Sequence, residues 1–98
     1  MKHFERAQFV VIWYGKDGAN LDCEYCYDKD DAIETGKRGL FIDFDKCLKR
    51  FPDDVMKHAT HYADVHDCLN RSRYFNRVRI NEKREITVST LKEKLVER

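Results

Sequence analysis

Residues 9–14, FVVIWY, constrain this chain more than any other stretch. Six consecutive apolar side chains, β-branched and aromatic, predict a strand covered on both faces. Such a strand needs neighbours, and the next residues supply one. Asp17-Gly18 marks a turn, after which LDCEYCY alternates. Leu21, Cys23, Tyr25 and Tyr27 fall on one side and are expected to face the core; Asp22, Glu24 and Cys26 fall on the other. The pattern predicts an N-terminal hairpin over 7–27.

A second hairpin is expected over 73–89. RYFNRVRI alternates, with Tyr74, Val78 and Ile80 on one face and Arg73, Phe75, Arg77 and Arg79 on the other. NEKR then turns and EITVS returns, Ile86 and Val88 inward. Between the hairpins the reading is helical. Asp28 or Asp30 caps a short helix over about 29–36, stopped by Gly36 or Gly39. LFIDFD reads as a short strand, followed by a brief helix through KCLKRF. Pro52 opens a longer helix over about 53–72, with Val55, Ala59, Tyr62, His66 and Leu69 on one face at the 3.6-residue period. Thr90 and Glu93 have capping-box spacing before a terminal helix over about 90–98. These elements predict a small single α+β domain, 1–98, with helices packed on a mostly antiparallel sheet.

At 98 residues, one domain is the expectation. Charged residues make up 38% but nearly cancel, leaving +1, so the composition is not that of a disordered chain. The signs are segregated. Residues 1–70 carry 10 Lys/Arg against 14 Asp/Glu, and residues 71–98 carry 9 against 4, so the front is acidic by 4 and the back basic by 5. Neither a transmembrane run nor a secretory leader is apparent, and a cytoplasmic protein with reduced thiols is expected.

ANLDCEYCY (19–27) resembles the cluster loop of radical-SAM enzymes, Cys-x3-Cys-x2-Cys after a strand, through Asn20, Leu21, Cys23, Tyr25, Cys26 and Tyr27. The resemblance implies an iron–sulfur cluster that binds SAM. The first cysteine position is Ala19, however, and two thiolates cannot supply the three that such a cluster requires. A thioredoxin-type redox pair is disfavoured too: Cys23 and Cys26 lie in a strand, facing opposite ways, among carboxylates. Zinc remains as an alternative cofactor, held by Cys23, Cys26, Cys47 and Cys68; otherwise no cofactor is expected. Asp54, His58 and His61 at i, i+4, i+7 would share a helix stripe suited to metal or acid–base chemistry.

Two charged surfaces are the binding candidates. The acidic one is Asp22, Glu24, Asp28, Asp30 and Asp31, whose carboxylates could stand in for phosphates. The basic one is Arg71, Arg73, Phe75, Arg77, Arg79, Lys83 and Arg84, with Phe75 available to stack on a base. No nucleophile motif, phosphate loop or nucleotide fingerprint is present. The expectation is therefore a non-enzymatic protein that regulates or inhibits a larger assembly through protein–protein contact, with no membrane role. A nucleic-acid-binding module built on 71–84 is the alternative, and a zinc-stabilised domain the second alternative. Compact charged chains of this kind resemble, in size and charge density, the small accessory proteins of phages and other mobile elements, including those that antagonise host enzymes or defence complexes.

Overall fold

The computed structural model describes residues 7–70 and 72–93. Five strands form one antiparallel sheet: β1 (Phe9–Tyr14), β2 (Asn20–Cys26), β3 (Tyr62–Asp67), β4 (Tyr74–Ile80) and β5 (Ile86–Lys92). Their order is β2-β1-β3-β4-β5. Between β2 and β3 run a 22-residue helix, α1 (Lys29–Arg50), and a single turn, α2 (Val55–His58). Both predicted hairpins and the α+β class are present. Among the described residues, no helix is long and apolar enough to cross a membrane.

The helices are where the sequence reading is corrected. The predicted helix over 29–36 is the first third of α1, which continues through LFIDFD and KCLKR. Gly36 and Gly39 do not stop it, because both lie where the helix meets the sheet. A Cβ on Gly36 would lie 3.4 Å from the Ala63 Cβ and 3.5 Å from Val11. That is ordinary contact, whereas a Cβ on Gly39 would meet the Trp13 indole at 2.6 Å, so it is at Gly39 that the close approach of helix and sheet requires glycine and offsets the roughly 1 kcal/mol it costs. Asp28 caps α1, its carboxylate accepting the Asp31 N–H at 3.1 Å, and Asp30 and Asp31 complement the helix dipole.

The predicted long helix over 53–72 does not form. Residues 55–58 make the single turn, and 62–67 are β3. HYADVHD carries a period of two, with Ala63 and Val65 toward α1 and Tyr62, Asp64 and His66 on the opposite face. Between β1 and β4 and beneath α1, Val65 is almost fully buried, which a lone helix could not achieve. The terminal helix is also overturned where it can be described: Thr90, Leu91 and Lys92 complete β5, and Thr90 Oγ1 accepts from Asn76 Nδ2 at 3.2 Å instead of capping a helix. Residues 94–98 of that expectation lie outside the described residues.

The core lies between α1 and the sheet. Ala32, Gly36, Leu40 and Phe44 pack on Phe9, Val11, Trp13, Ala63, Val65, Val78 and Ile80. A helix about 10–12 Å across spans only two to three strands at about 4.8 Å spacing. α1 accordingly covers β1, β3 and β4, reaches the edge strand β2 at Cys26, and leaves β5 largely bare. Val88 is thus 44% exposed rather than inward, and Ile86 is half-buried.

Candidate functional site

The alternation read in β2 is correct but its polarity is reversed. Cys26 is buried toward α1 at 8% exposure and lies 3.7 Å from the Thr35 hydroxyl, while Cys23 and Tyr25 face away from the helix. Tyr25 pairs with Val10 and Cys23 with Ile12, which places them on the second face of the sheet. Leu21 falls at a register shift between Trp13 and Tyr14 and is 55% exposed. Tyr27 lies beyond the strand, also exposed. β1 is likewise not sealed on both sides: Phe9, Val11 and Trp13 are buried, but Val10, Ile12 and Tyr14 are half-buried on a face over which no described element packs.

The second face carries a ladder of aromatic and charged side chains. From the strand registers, Tyr14 (β1), Tyr62, Asp64 and His66 (β3) and Phe75, Arg77 and Arg79 (β4) all project from it. Tyr14 and Tyr62 stack with ring centroids 5.0 Å apart. The Arg77 guanidinium lies 4.2 Å from the Tyr62 ring centre, reaching it from the other neighbouring strand. Phe75 stacks on His66 at 4.8 Å, and Arg77 lies 5.6 Å from the Phe75 ring. The result is a continuous stack, Tyr14–Tyr62–Arg77–Phe75–His66, across three strands.

Asp64 anchors this stack. It is 4% exposed, and both carboxylate oxygens accept from Arg77, from Nε at 2.8 Å and Nη2 at 2.9 Å. This bidentate geometry is the strongest form of the pair. The hydrogen bond to Asp64 holds the Arg77 guanidinium above its usual pKa, and burial followed by the nearby Asp64 charge raises Tyr14. Arg77 therefore stays charged and Tyr14 keeps its hydroxyl proton. With both oxygens of Asp64 engaged, this cluster fixes a shape rather than offering a base.

The predicted surfaces are divided by the fold. Asp22 and Glu24 line a cleft of about 400 Å³ beside α1, with Trp13, Arg38 and Ile42. Asp28 is spent as the helix cap, and Asp30 and Asp31 sit exposed in the first turn. Of the basic set, Phe75, Arg77 and Arg79 share the second face, and Arg73 and Lys83 are exposed. Arg84 turns back to α1, donating to both Asp45 oxygens at 2.9 Å and lying 4.4 Å from the Phe41 ring centre. Its φ of 65° puts it in the left-handed region, a position in the tight β4–β5 turn that usually favours glycine. Arg71 lies outside the described residues.

The four cysteines are not gathered. Cys23 is exposed in the middle of β2, Cys68 is exposed just after β3, Cys26 is buried, and Cys47 sits on α1 near Asp43. Among the described residues no three His, Cys, Asp or Glu side chains are placed to hold a metal ion. The Asp54–His58–His61 stripe is not helical beyond His58; His58 stacks on Phe51, and His61 Nε2 contacts the Met56 carbonyl. Tyr14, Tyr62, Asp64 and His66 escaped the sequence reading as site residues. The signal was the two-residue alternation in 62–66, masked by an equally good helical fit.

Acid should loosen the structure at two carboxylates. Hydrogen bonding to Arg84 lowers the Asp45 pKa, and the Asn70 N–H is the main cause that lowers Asp67, whose oxygens also accept from Leu69 and Gln8. Because both are depressed in the folded chain, their stabilisation is complete above the unfolded value of about 3.9 and is lost as pH falls through the folded values. Thermal midpoints measured from about pH 5 to about pH 2 should fall steadily, and less so in Asp45→Asn/Asp67→Asn. A double variant that falls as steeply as the parent would assign the acid sensitivity elsewhere.

Comparison with known protein families, with characterised proteins and with solved structures finds no match to this chain.

Proposed function

We propose that this chain is a non-enzymatic binding protein, a regulator or inhibitor that engages a protein partner through the second face of its sheet. The observation that carries the reading is the Tyr14–Tyr62–Arg77–Phe75–His66 stack with Asp64 beneath it. Tyrosine and arginine are the residue types that dominate the energetics of protein interfaces. Here they are held rigid by one another, so little side-chain freedom is lost on docking. Val10, Ile12 and Tyr25 extend the apolar area alongside. Arg79 has no ion-pair partner among the described residues, and it selects a partner with an apolar patch and a carboxylate opposite it.

The same stack argues against single-strand nucleic acid as the occupant. Base recognition needs a free ring face, and Tyr62 is flanked on both sides. Two of the basic candidates, Arg77 and Arg84, already neutralise Asp64 and Asp45. The phosphate-facing charge is smaller than the composition of 71–84 implied.

The test uses exposed positions, so that the fold is kept. Tagged full-length chain would be incubated with extract of its native host after nuclease treatment, and compared with Tyr25→Asp/Arg79→Glu. A specific partner should be recovered with the parent and reduced at least about tenfold with the variant, the range expected for an interface anchor. Equal recovery by both would remove this face as the site. Loss of all capture on nuclease treatment would move the reading to nucleic acid.

A further inference from the structure

The two edges of the sheet are built differently, and the difference points to a second interface. β2 is guarded. Asp22 and Glu24 project from it on the helix side, Asp22 Oδ1 takes the Cys23 N–H at 2.8 Å, and a register shift interrupts its pairing at Leu21. Inward charges and irregular pairing are the usual protections against another strand adding to an edge. Of these β5 has only Lys92, at its end. Its seven residues, ITVSTLK, pair with β4 without a shift, from Tyr74–Lys92 to Ile80–Ile86. The strand lacks proline and glycine, and its sole charge is Lys92 at the end. α1 leaves it uncovered, and among the described residues nothing pairs with its outer edge.

We infer that β5 pairs with β5 of a second copy of this chain, antiparallel about a two-fold axis near Ser89. That arrangement sets Val88 against Thr90 of the partner and Thr87 against its Leu91, aliphatic and β-branched pairs that favour strands. Ile86 then meets Lys92, and no like charges oppose one another within the strand. The chain's net charge of +1 adds little repulsion between copies. Two-fold pairing is also the commonest closed assembly. It would join the sheets into ten strands, with both α1 helices on one side and both aromatic stacks on the other, presenting the partner-binding face twice.

A single seven-residue strand pairing buries less than the about 1,200 Å² at which stable interfaces begin, so the association is weak, ~100 μM. Sedimentation of the full chain from about 10 μM to about 1 mM should show the mass rising from one chain toward two. Over the same range, amide exchange in 86–92 should slow. Val88→Lys, an exposed position whose side chain makes no hydrogen bond, brings a pair of lysines, one from each copy, to the seam and should weaken association at least about tenfold while leaving the thermal midpoint of the dilute protein nearly unchanged. Tyr25→Asp/Arg79→Glu should leave it intact. A one-chain mass at the highest concentration would overturn the inference. So would a dimer that survives Val88→Lys, or one that is lost in Tyr25→Asp/Arg79→Glu, which would move self-contact to the second face.

Discussion

Gly39→Ala is expected to destabilise the protein, and Gly36→Ala, three residues away in the same helix, to stabilise it. A Cβ at position 39 would sit 2.6–2.7 Å from three atoms of the Trp13 indole. The indole is held in place: it is 9% exposed, and its Nε1 donates to the Gly36 carbonyl at 3.2 Å. Overpacking of this kind costs about 1–3 kcal/mol and more when the neighbour is rigid, against a gain of roughly 1 kcal/mol in helix propensity. The net loss should be about 2 kcal/mol, roughly 10 °C in thermal midpoint for a domain of this size. At position 36 the same methyl meets Ala63, Val11 and Val78 at 3.4–3.7 Å, ordinary contact, so the propensity term dominates and a gain of about 0.5–1 kcal/mol is expected. Urea unfolding of the two variants decides the matter. Equal effects would mean that α1 shifts freely over the sheet.

The second large effect is expected at Asp64. Asp64→Ala leaves the Arg77 guanidinium with no counter-ion between two rings. Breaking one side of a buried pair costs about 3–5 kcal/mol; the Arg77 side chain is 23% exposed and reaches some water, so about 2–3 kcal/mol is expected here. Replacing both partners, Asp64→Val with Arg77→Leu, should recover all but about 1 kcal/mol, because no uncompensated charge remains. Partner capture should still be lost in the double variant, since the stack loses its central group. If the single and double variants unfold alike, the ion pair is not what organises this face.

Much of this fold is legible in the chain itself. FVVIWY permits little but a central strand, and the alternations in 20–26, 74–80 and 86–88 identify their strands because a side-chain period of two needs no knowledge of the partner. The Asp28 cap with its acidic first turn is equally local. The helix stops are where local reasoning erred. Gly36 and Gly39 resemble C-caps until the sheet is placed against them, and only contact with Ala63, Val11 and Trp13 explains why a helix tolerates both. Residues 62–67 fit a helical stripe and a strand equally well; the pairing of Val65 with Val11 and of Ala63 with Val78 settles it.

The candidate site was less visible. Phe75, Arg77 and Arg79 were picked out from their own strand, but as a nucleic-acid strip. Their partners Tyr14, Tyr62, Asp64 and His66 come from strands separated in sequence, and the fact that Asp64 neutralises Arg77 cannot be read from either hairpin alone.

The sequence by itself determined which segments are strands in the two hairpins and where the first helix begins, because those depend on side-chain period and capping within a few residues. Tertiary structure decided how far that helix runs, which face of β2 is buried, and which charges remain available. Each of these depends on what lies across the sheet: one helix is wide enough for three strands, and its placement sorts every alternating strand into an inside and an outside.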